Sequence, residues 1–278
     1  MNKLFKLYAR PKLNSPILLA AWPGIGNVSM IVASYLERKL NFKRLGEIQS
    51  VHFFDPVGVI VRDNIVEAPS FPQNRFYYWK NETGGNDIIL FIGEQQPAAK
   101  SYELANCVLD VASKFMVERV YTFAAALTRI HHTEQPRAWG VGTSPEVAED
   151  LGGYDLLQKR NLQIAGLNGL LLGVAKERDV EGVCLLGEVP MYATKIQNPI
   201  AALAILNVLT KILDIEIDLS EIIQLAQETR EGMKQAAAEA KGEYIDYFTE
   251  PIWEQDEEDE DEEEEEAVSY THLRAHET

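Results

Sequence analysis

The stretch ILLAAWPGIGNVSMIVASYLERKL, residues 17–40, carries the clearest fold signal in the chain. It begins with a short apolar run, Ile17–Trp22, which predicts a buried β-strand. A Pro-Gly turn follows, and Val28–Leu40 then has the length and composition of a helix. A strand, a tight turn and a helix in this order are the building block of an α/β sheet.

Outward from this unit, short β-rich runs alternate with longer helical patterns, which predicts an α/β sheet with helices on its faces. Turn signals at Asp63-Asn64 and Gly84-Gly85 predict that the segment from about Val57 to Ile92 is a small antiparallel insert. The further predicted strands are Val57–Arg62, Ile65–Ala68, Arg75–Lys80, Asp87–Ile92, Arg119–Ala124, Ala138–Gly142, Leu162–Ala165 and Val183–Glu188. The further predicted helices are Ala98–Met116, Ser144–Leu151, Gly169–Glu177, Pro199–Leu213 and Leu219–Lys241.

Composition and charge exclude several classes of protein. The chain has 278 residues, 46% of them hydrophobic and 25% charged, and no run of 18 or more apolar residues that could cross a bilayer. Its formal net charge is -17, but eleven negative charges lie in Asp256–Glu266, so the rest of the chain carries only -6. An acidic body argues against binding along a phosphate backbone. We therefore expect neither nucleic acid nor a membrane as a partner.

The N-terminal residues are basic and precede the apolar run Ile17–Trp22, an order that a signal peptide would also show. The run is too short for the core of such a peptide and leads straight into a turn. We therefore expect a cytoplasmic protein.

The predicted organisation is one α/β domain over residues 1–253, with a C-terminal helical region at 198–241. Residues 254–266 are predicted to be a disordered acidic tail, because like charges repel each other and no apolar surface is available to bury. Residues 267–278 change character abruptly and show no periodicity, so we expect them to be non-native.

The turn after the first strand, WPGIGN at 22–27, is the first candidate site. Gly24 and Gly26 permit close backbone approach, and the helix after Asn27 presents free N–H groups that could bind an anion. The turn lacks the Lys of a phosphate-binding loop and the third glycine of a dinucleotide fingerprint. A purely steric turn between strand and helix is the alternative interpretation.

Polar side chains follow three other predicted strands or open the next helix. Glu94 is either an acid–base or ligand-binding carboxylate, or a helix cap. Asn168 is placed to cap a helix, and so is Asn198, which precedes Pro199. Glu188 ends a buried strand, so it is either a site residue or one half of a structural ion pair.

In a largely parallel sheet these turns would share the edge formed by the carboxyl ends of the strands. Open α/β sheets bind their ligands at that edge. The ligand-binding candidates are therefore Gly24, Gly26, Asn27, Glu94, Asn168, Glu188 and Asn198.

No pattern indicates a metal, a nucleophile or a cofactor, and we expect none. Cys107 and Cys184 lie outside any CxxC or Cys/His cluster. His131-His132 with Glu134 lacks the spacing of a ligand set, and a Gly-x-Ser-x-Gly motif is absent.

Three blocks of the sequence together resemble the proteasome assembly chaperone 2 family. They are WPGIGN at 22–27, GLNGLLLG at 166–173, and CLLGEVP at 184–190, the last followed by Tyr192 and by NPIAA at 198–202. The resemblance runs from about Ile17 to Lys241. It implies a three-layer α/β/α fold with a mostly parallel central sheet, similar to nucleoside phosphorylases, and oligomerisation through surface helices.

For characterised relatives, the resemblance also implies a role in assembling proteasome rings. Some relatives are labelled ATP-grasp or carboxylate–amine ligases, but no phosphate loop or metal-ligand set in this sequence supports such an activity.

These observations favour a non-enzymatic, homo-oligomeric assembly chaperone or scaffold whose partners are proteins, with proteasome subunits as the candidate partners. The alternative is an enzyme or sensor that binds a nucleotide-like or nucleoside-like molecule with the loops at the carboxyl ends of the strands.

Overall fold

The computed structural model describes residues 4–56, 58–131, 134–158 and 162–239, without the side chains of 235–239. The predicted acidic tail and the segment 267–278 lie outside the described residues. Ten strands are present in this part of the chain: β1 (Phe5–Leu7), β2 (Ile17–Ala21), β3 (Lys43–Ile48), β4 (Val61–Arg62), β5 (Ile65–Val66), β6 (Asn74–Trp79), β7 (Ile88–Gly93), β8 (Arg119–Thr128), β9 (Ala138–Gly142) and β10 (Glu181–Pro190). Six α-helices accompany them: α1 (Val28–Lys39), α2 (Ser101–Ser113), α3 (Pro145–Asp150), α4 (Leu167–Glu177), α5 (Pro199–Leu213) and α6 (Ser220–Glu239).

Eight strands form one sheet in the order β1-β3-β6-β7-β2-β8-β10-β9. The four central strands, β7, β2, β8 and β10, run parallel to one another. The outer strands pair antiparallel on both sides. The predicted α/β class is confirmed, and the parallel strands occupy the centre of the sheet.

Helices cover both faces of this sheet, which gives three layers. Successive residues of β2 are all buried but point to opposite faces: Leu19 packs in the cluster that contains α1, α5 and α6, whereas Leu18 packs with α2 and α4. Burial on both faces explains why the central strands are uninterrupted apolar runs instead of alternating patterns.

The antiparallel insert is smaller than predicted. Strands β6 and β7 belong to the main sheet, and only β4 and β5 form a separate two-stranded hairpin. Its turn, Asp63-Asn64, has positive φ at both residues (52° and 63°), as the sequence predicted for a tight hairpin.

Three strand assignments differ from the sequence analysis. Leu162–Ala165 is irregular and not a strand. Strands β1 and β3 were not predicted, because their charged residues interrupt the apolar pattern. Strand β1 is the edge of the sheet, and β3, which carries exposed Lys43, pairs between β1 and β6. All six helices agree with the prediction within a few residues, apart from the predicted last two residues of α6, which lie outside the described part.

Among the described residues, no helix has both the length and the apolar character needed to cross a membrane.

Candidate functional site

Asn168 joins the end of the first parallel strand to the start of α4. Its Oδ1 accepts a hydrogen bond from the Trp22 backbone N–H at 3.1 Å, and its Nδ2 donates to the Trp22 carbonyl oxygen, also at 3.1 Å. The side chain is only 3% exposed. The predicted helix-capping role is wrong, because Asn168 is already inside α4 and the cap position is held by Gly166. The Asn168 side chain therefore clamps the backbone of the turn after β2 to the start of α4.

Gln96, which the sequence analysis did not single out, makes a second clamp beside the first. Its Nε2 donates to the Pro23 carbonyl oxygen at 2.7 Å, and its Oε1 accepts from the Leu167 N–H at 2.8 Å. A Cβ atom on Gly166 would lie 2.6 Å from Gln96 Oε1, and Gly166 has φ of 75°. Glycine is required there for both reasons.

Asn198 and Gly26 connect the same turn to the segment before α5. The Asn198 backbone N–H donates to the Gly26 carbonyl oxygen at 2.7 Å, and a Cβ atom on Gly26 would lie 3.0 Å from Asn198 Cβ. Asn198 Oδ1 accepts from the Ala201 N–H at 2.9 Å, which confirms the predicted helix cap. Its Nδ2 is buried and has no hydrogen-bond partner among the described residues.

The structure thus brings together several turns that lie far apart in the sequence. We refer to Gly24, Gly26, Gln96, Asn168 and Asn198 as the rim cluster. Gly24 belongs to it because a Cβ atom there would lie 3.7 Å from Asn168 Nδ2. Asn27 adjoins the cluster at the start of α1, in a left-handed conformation with φ of 53° and without a side-chain cap. Of the seven candidates from the sequence, Gly24, Gly26, Asn168 and Asn198 therefore lie together, with Asn27 adjoining them, and their role in ligand binding stays a prediction.

Glu94 makes its contacts outside the rim cluster. Its carboxylate accepts a hydrogen bond from the Gln73 N–H at 2.8 Å and lies 3.9 Å from the Arg75 guanidinium. It borders an open cavity of about 600 Å³ whose apolar lining includes Phe54 and Phe71. The alternative helix-capping role is wrong, because Glu94 ties the end of β7 to the start of β6.

Glu188 is also separate from the rim cluster. Strand β10 continues to Pro190, so this carboxylate lies within the strand and is 1% exposed. It accepts a hydrogen bond from the Arg137 N–H at 2.8 Å. Burial raises the pKa of Glu188 above its ordinary value, although hydrogen bonds from Arg137 and Trp139 act in the opposite direction. The expected position at the rim of the sheet is wrong because the strand does not end at Glu188 but continues to Pro190.

Two further cavities lie away from the candidate residues. One of about 660 Å³ is lined by β1 residues together with Arg10 and Lys114, and one of about 490 Å³ includes Arg119 and Tyr154. Among the described residues, no three His, Cys, Asp or Glu side chains are grouped so that they could hold a metal ion. Cys107 and Cys184 are buried free thiols, and burial raises the pKa of each to about 12.

These features define a class: three-layer α/β proteins in which side-chain amides, here buried Asn168 and exposed Gln96, hold the strand-end loops together. Residues 18–237 match the sequence model of the PAC2 family, and the chain belongs to this family. The resemblance noted in the sequence is thereby confirmed.

Several relatives give this membership its context. PbaB from Pyrococcus furiosus, an archaeal proteasome activator, is 30% identical, with 84% of this chain and 97% of PbaB covered and a TM-score of 0.70. PbaA from the same organism, an archaeal homologue of proteasome-assembly chaperone, is 23% identical, with 84% and 96% covered and a TM-score of 0.64. An uncharacterised protein of Methanocaldococcus jannaschii is 27% identical over 227 residues, which is 80% of this chain and 82% of the relative. Membership of this family supports a chaperone-like role with protein partners.

Proposed function

We propose that this protein is a non-enzymatic, homo-oligomeric assembly chaperone or scaffold that binds proteasome subunits. The observation that carries the proposal is the 30% identity to an archaeal proteasome activator over 84% of this chain and 97% of that protein.

The chemistry of the rim cluster supports a binding role over catalysis. Both amide atoms of Asn168 and of Gln96 are used in hydrogen bonds to backbone groups of neighbouring turns. Side chains engaged in this way fix the shape of a surface, and carboxamides are not among the side chains that act as general acids or bases. The two carboxylates that could act as acid or base, Glu94 and Glu188, each hold another part of the backbone.

Exposed apolar side chains lie on the turns of the rim cluster and on the short segment before Asn198. Ile25 is 41% exposed, Ile196 is 48% exposed, and Met191 is 50% exposed. The turns that carry Ile25 and Ile196 are in contact, because the Gly26 N–H donates to the Thr194 carbonyl oxygen at 3.4 Å. Apolar side chains on a preformed surface are typical of sites that bind proteins.

The test is co-purification of the full chain with proteasome α-type subunits. We expect wild-type protein to retain the subunits and the double variant Ile25→Asp, Ile196→Asp to lose them at least tenfold, since each change puts a charge on the apolar rim. Met116→Asp is the matched control, because Met116 is 76% exposed and lies in the turn after α2. Absence of binding by the wild-type protein would contradict the proposal, as would equal binding by the double variant.

A second candidate function is a small-molecule site at the rim cluster and Asn27. The buried Asn198 Nδ2 favours it, because a buried donor without a partner is available to a ligand oxygen. Thermal-shift measurements with inorganic phosphate, nucleotides and nucleosides test it. Asn198→Ser keeps an oxygen for the helix cap but removes Nδ2, so a shift that this variant abolishes supports the site. No shift with any of the compounds would rule the candidate out for these ligand classes.

A further inference from the structure

A pocket lined by cations lies at the edge of the sheet, along strand β1. It is the cavity of about 660 Å³ described above, and Lys6, Arg10 and Lys114 are the charged residues of its lining. All three residues are exposed. The lining includes no carboxylate, whereas the two other cavities described above are each lined by at least two. We refer to this cavity as the basic pocket, a local concentration of positive charge in a chain of net charge -17.

The three cations of the basic pocket are not neutralised by other described residues. None of them makes an ion pair in the part of the chain that the structure describes. Glu47 is opposite Lys6 in the register of β1 and β3, but its carboxylate is held by Arg44 at 2.9 Å. Lys114 lies over the ring of Phe5 at 5.5 Å, a contact that does not compensate its charge. The pocket therefore keeps its positive charge.

The backbone of β1 adds further donors to the same place. Phe5, Lys6 and Leu7, which make up this strand, all line the pocket. Among the described strands, β1 has a neighbour on one side only, and the open side of an edge strand presents unpaired N–H groups. Cations and open N–H groups around one depression suit a segment that carries several carboxylates.

The chain itself contains such a segment. Asp256–Glu266 is a run of eleven consecutive acidic residues, and Asp261 in its middle is 22 residues beyond Glu239, where α6 ends. Fully extended, a stretch of this length spans about 70 Å. A compact body of the described size has a radius of gyration of about 17 Å and is about 45 Å across. The run is therefore long enough to pass around half of the body and reach the pocket of its own chain.

We propose that the basic pocket is the docking site of the acidic run of the same chain. Connection within one chain holds the run near the pocket at an effective concentration in the millimolar range. Exposed charge pairs are individually weak, but several of them suffice at such a concentration. The contact weakens as salt screens the charges. The docked run also keeps acidic segments of other proteins out of the pocket, a function that goes beyond the proposed one and does not depend on it.

Zero-length crosslinking of the full chain tests the contact. A carbodiimide joins a lysine amine to a carboxylate with loss of one water, and it couples only groups that already touch. We expect mass spectrometry to find Lys6 and Lys114 coupled to residues of the acidic run at low salt, with at least about fivefold less coupling in about 0.5 M salt. The coupled product should have the mass of one chain, 31.3 kDa, less the water. Coupling that joins two chains would overturn the inference.

Lysines elsewhere on the surface provide the control within the same sample. Lys176 on α4 and Lys211 on α5 are exposed and make no ion pair with a described residue. If the acidic run touched every cation on the surface, they would be coupled as often as the lysines of the pocket. Equal coupling would therefore overturn the inference, as would no coupling at Lys6 and Lys114.

Charge reversal tests whether the pocket acts as a unit. The double variant Arg10→Glu, Lys114→Glu keeps Lys6 as the reporter, and we expect its coupling to the acidic run to fall at least about tenfold. The matched control is Lys176→Glu, Lys211→Glu, which makes the same change of charge away from the pocket and should leave the coupling of Lys6 unchanged. Unchanged coupling in the pocket variant would contradict the docking site.

A competition experiment leaves the pocket intact and changes only its occupant. In the full chain, each Asp of residues 256–266 is replaced by Asn and each Glu by Gln, and binding of a labelled synthetic peptide with the native sequence of these residues is measured by fluorescence anisotropy. We expect the neutral variant to bind the peptide at least about tenfold more tightly than the wild type, in which the attached run competes for the pocket. Equal affinities, or binding by neither protein, would overturn the inference.

Discussion

At the scale of single residues, Asn168 is the side chain on which the rim cluster depends most directly. It satisfies both backbone groups of Trp22 in a buried environment. We expect Asn168→Ala to lower the free energy of unfolding by about 3 kcal/mol, since a buried N–H and a buried C=O lose their partner together. Urea unfolding measures this change. Asn207→Ala, at an exposed position of α5, is the control and should be nearly neutral; an equally small effect at Asn168 would contradict the clamp.

Glu188 gives the fold a pH dependence whose sign follows from burial. Because burial raises its pKa in the folded state, the folded protein favours the protonated form. The stability that Glu188 contributes to the folded state is fully present below its pKa in the unfolded chain, which is near the ordinary value of 4.5. This stability is lost as the pH rises through the raised pKa of Glu188 in the folded protein. Relative to Glu188→Gln, the wild type should therefore become less stable from pH 4.5 upward. Unfolding free energies of both proteins at several pH values test this, and a constant difference between them would contradict it.

The sequence identified most of the candidate residues but not what they do. Asn168 was a candidate because of its glycine-rich surroundings, yet its partner Trp22 lies 146 positions away, and no local pattern encodes that contact. Gln96 was missed because a single glutamine has no distinctive spacing. Glu188 was taken as the end of a strand, whereas β10 continues to Pro190 and the preceding Gly187 adjoins α5.

At the scale of elements, alanine substitutions at two glycines should have opposite effects on the stability of the protein. A Cβ atom on Gly187 would lie 2.4 Å from the Ala201 carbonyl oxygen, so α5 and β10 pack in direct backbone contact. Gly187→Ala should destabilise the protein by about 1–3 kcal/mol through overpacking. Gly173 is exposed on α4 with no atom within 4 Å of its Cβ position, so Gly173→Ala should stabilise it by about 0.5–1 kcal/mol. Chemical denaturation of both variants tests the pair, and equal signs would contradict the packing.

The elements that were predicted well from the sequence have a strong periodicity of apolar residues or a clear capping or turn signal at their ends. Helix α5 begins and ends as predicted, because Asn198-Pro199 marks its start and an apolar stripe marks its length. Strand β3 was missed because Lys43, Arg44 and Glu47, which are exposed or half-buried, break the apolar run. Leu162–Ala165 has apolar residues but no partner strand, and periodicity alone cannot show the lack of a partner.

At the scale of the whole molecule, self-association should couple to stability. If the chain is homo-oligomeric, as proposed, mass action favours the folded oligomer as concentration rises. The melting temperature should therefore increase by several degrees over about a hundredfold range of concentration. Scanning calorimetry at several concentrations measures this change. A melting temperature that stays constant over that range would contradict the homo-oligomeric part of the proposed function.

The parallel centre of the sheet could be predicted from apolar strands that alternate with helices. The strand order could not be predicted, because the turn signal between β6 and β7, at Gly84-Gly85, fits a separate insert as well as it fits the main sheet. Pairing partners are decided by packing across the whole molecule, which the local pattern does not contain.

The clamp at Asn168 has a consequence for chemical ageing. Asn-Gly, as at Asn168-Gly169, is the dipeptide in which the glycine nitrogen most readily attacks the preceding side-chain amide, with loss of ammonia. Here the Gly169 N–H is directed to the Gly166 carbonyl oxygen at 3.2 Å, and the Asn168 amide is turned toward Trp22. Deamidation should therefore proceed mainly in unfolded molecules. The carboxylate that it leaves would face the Trp22 carbonyl oxygen, so a chain damaged before folding would carry a permanent defect where its loops meet.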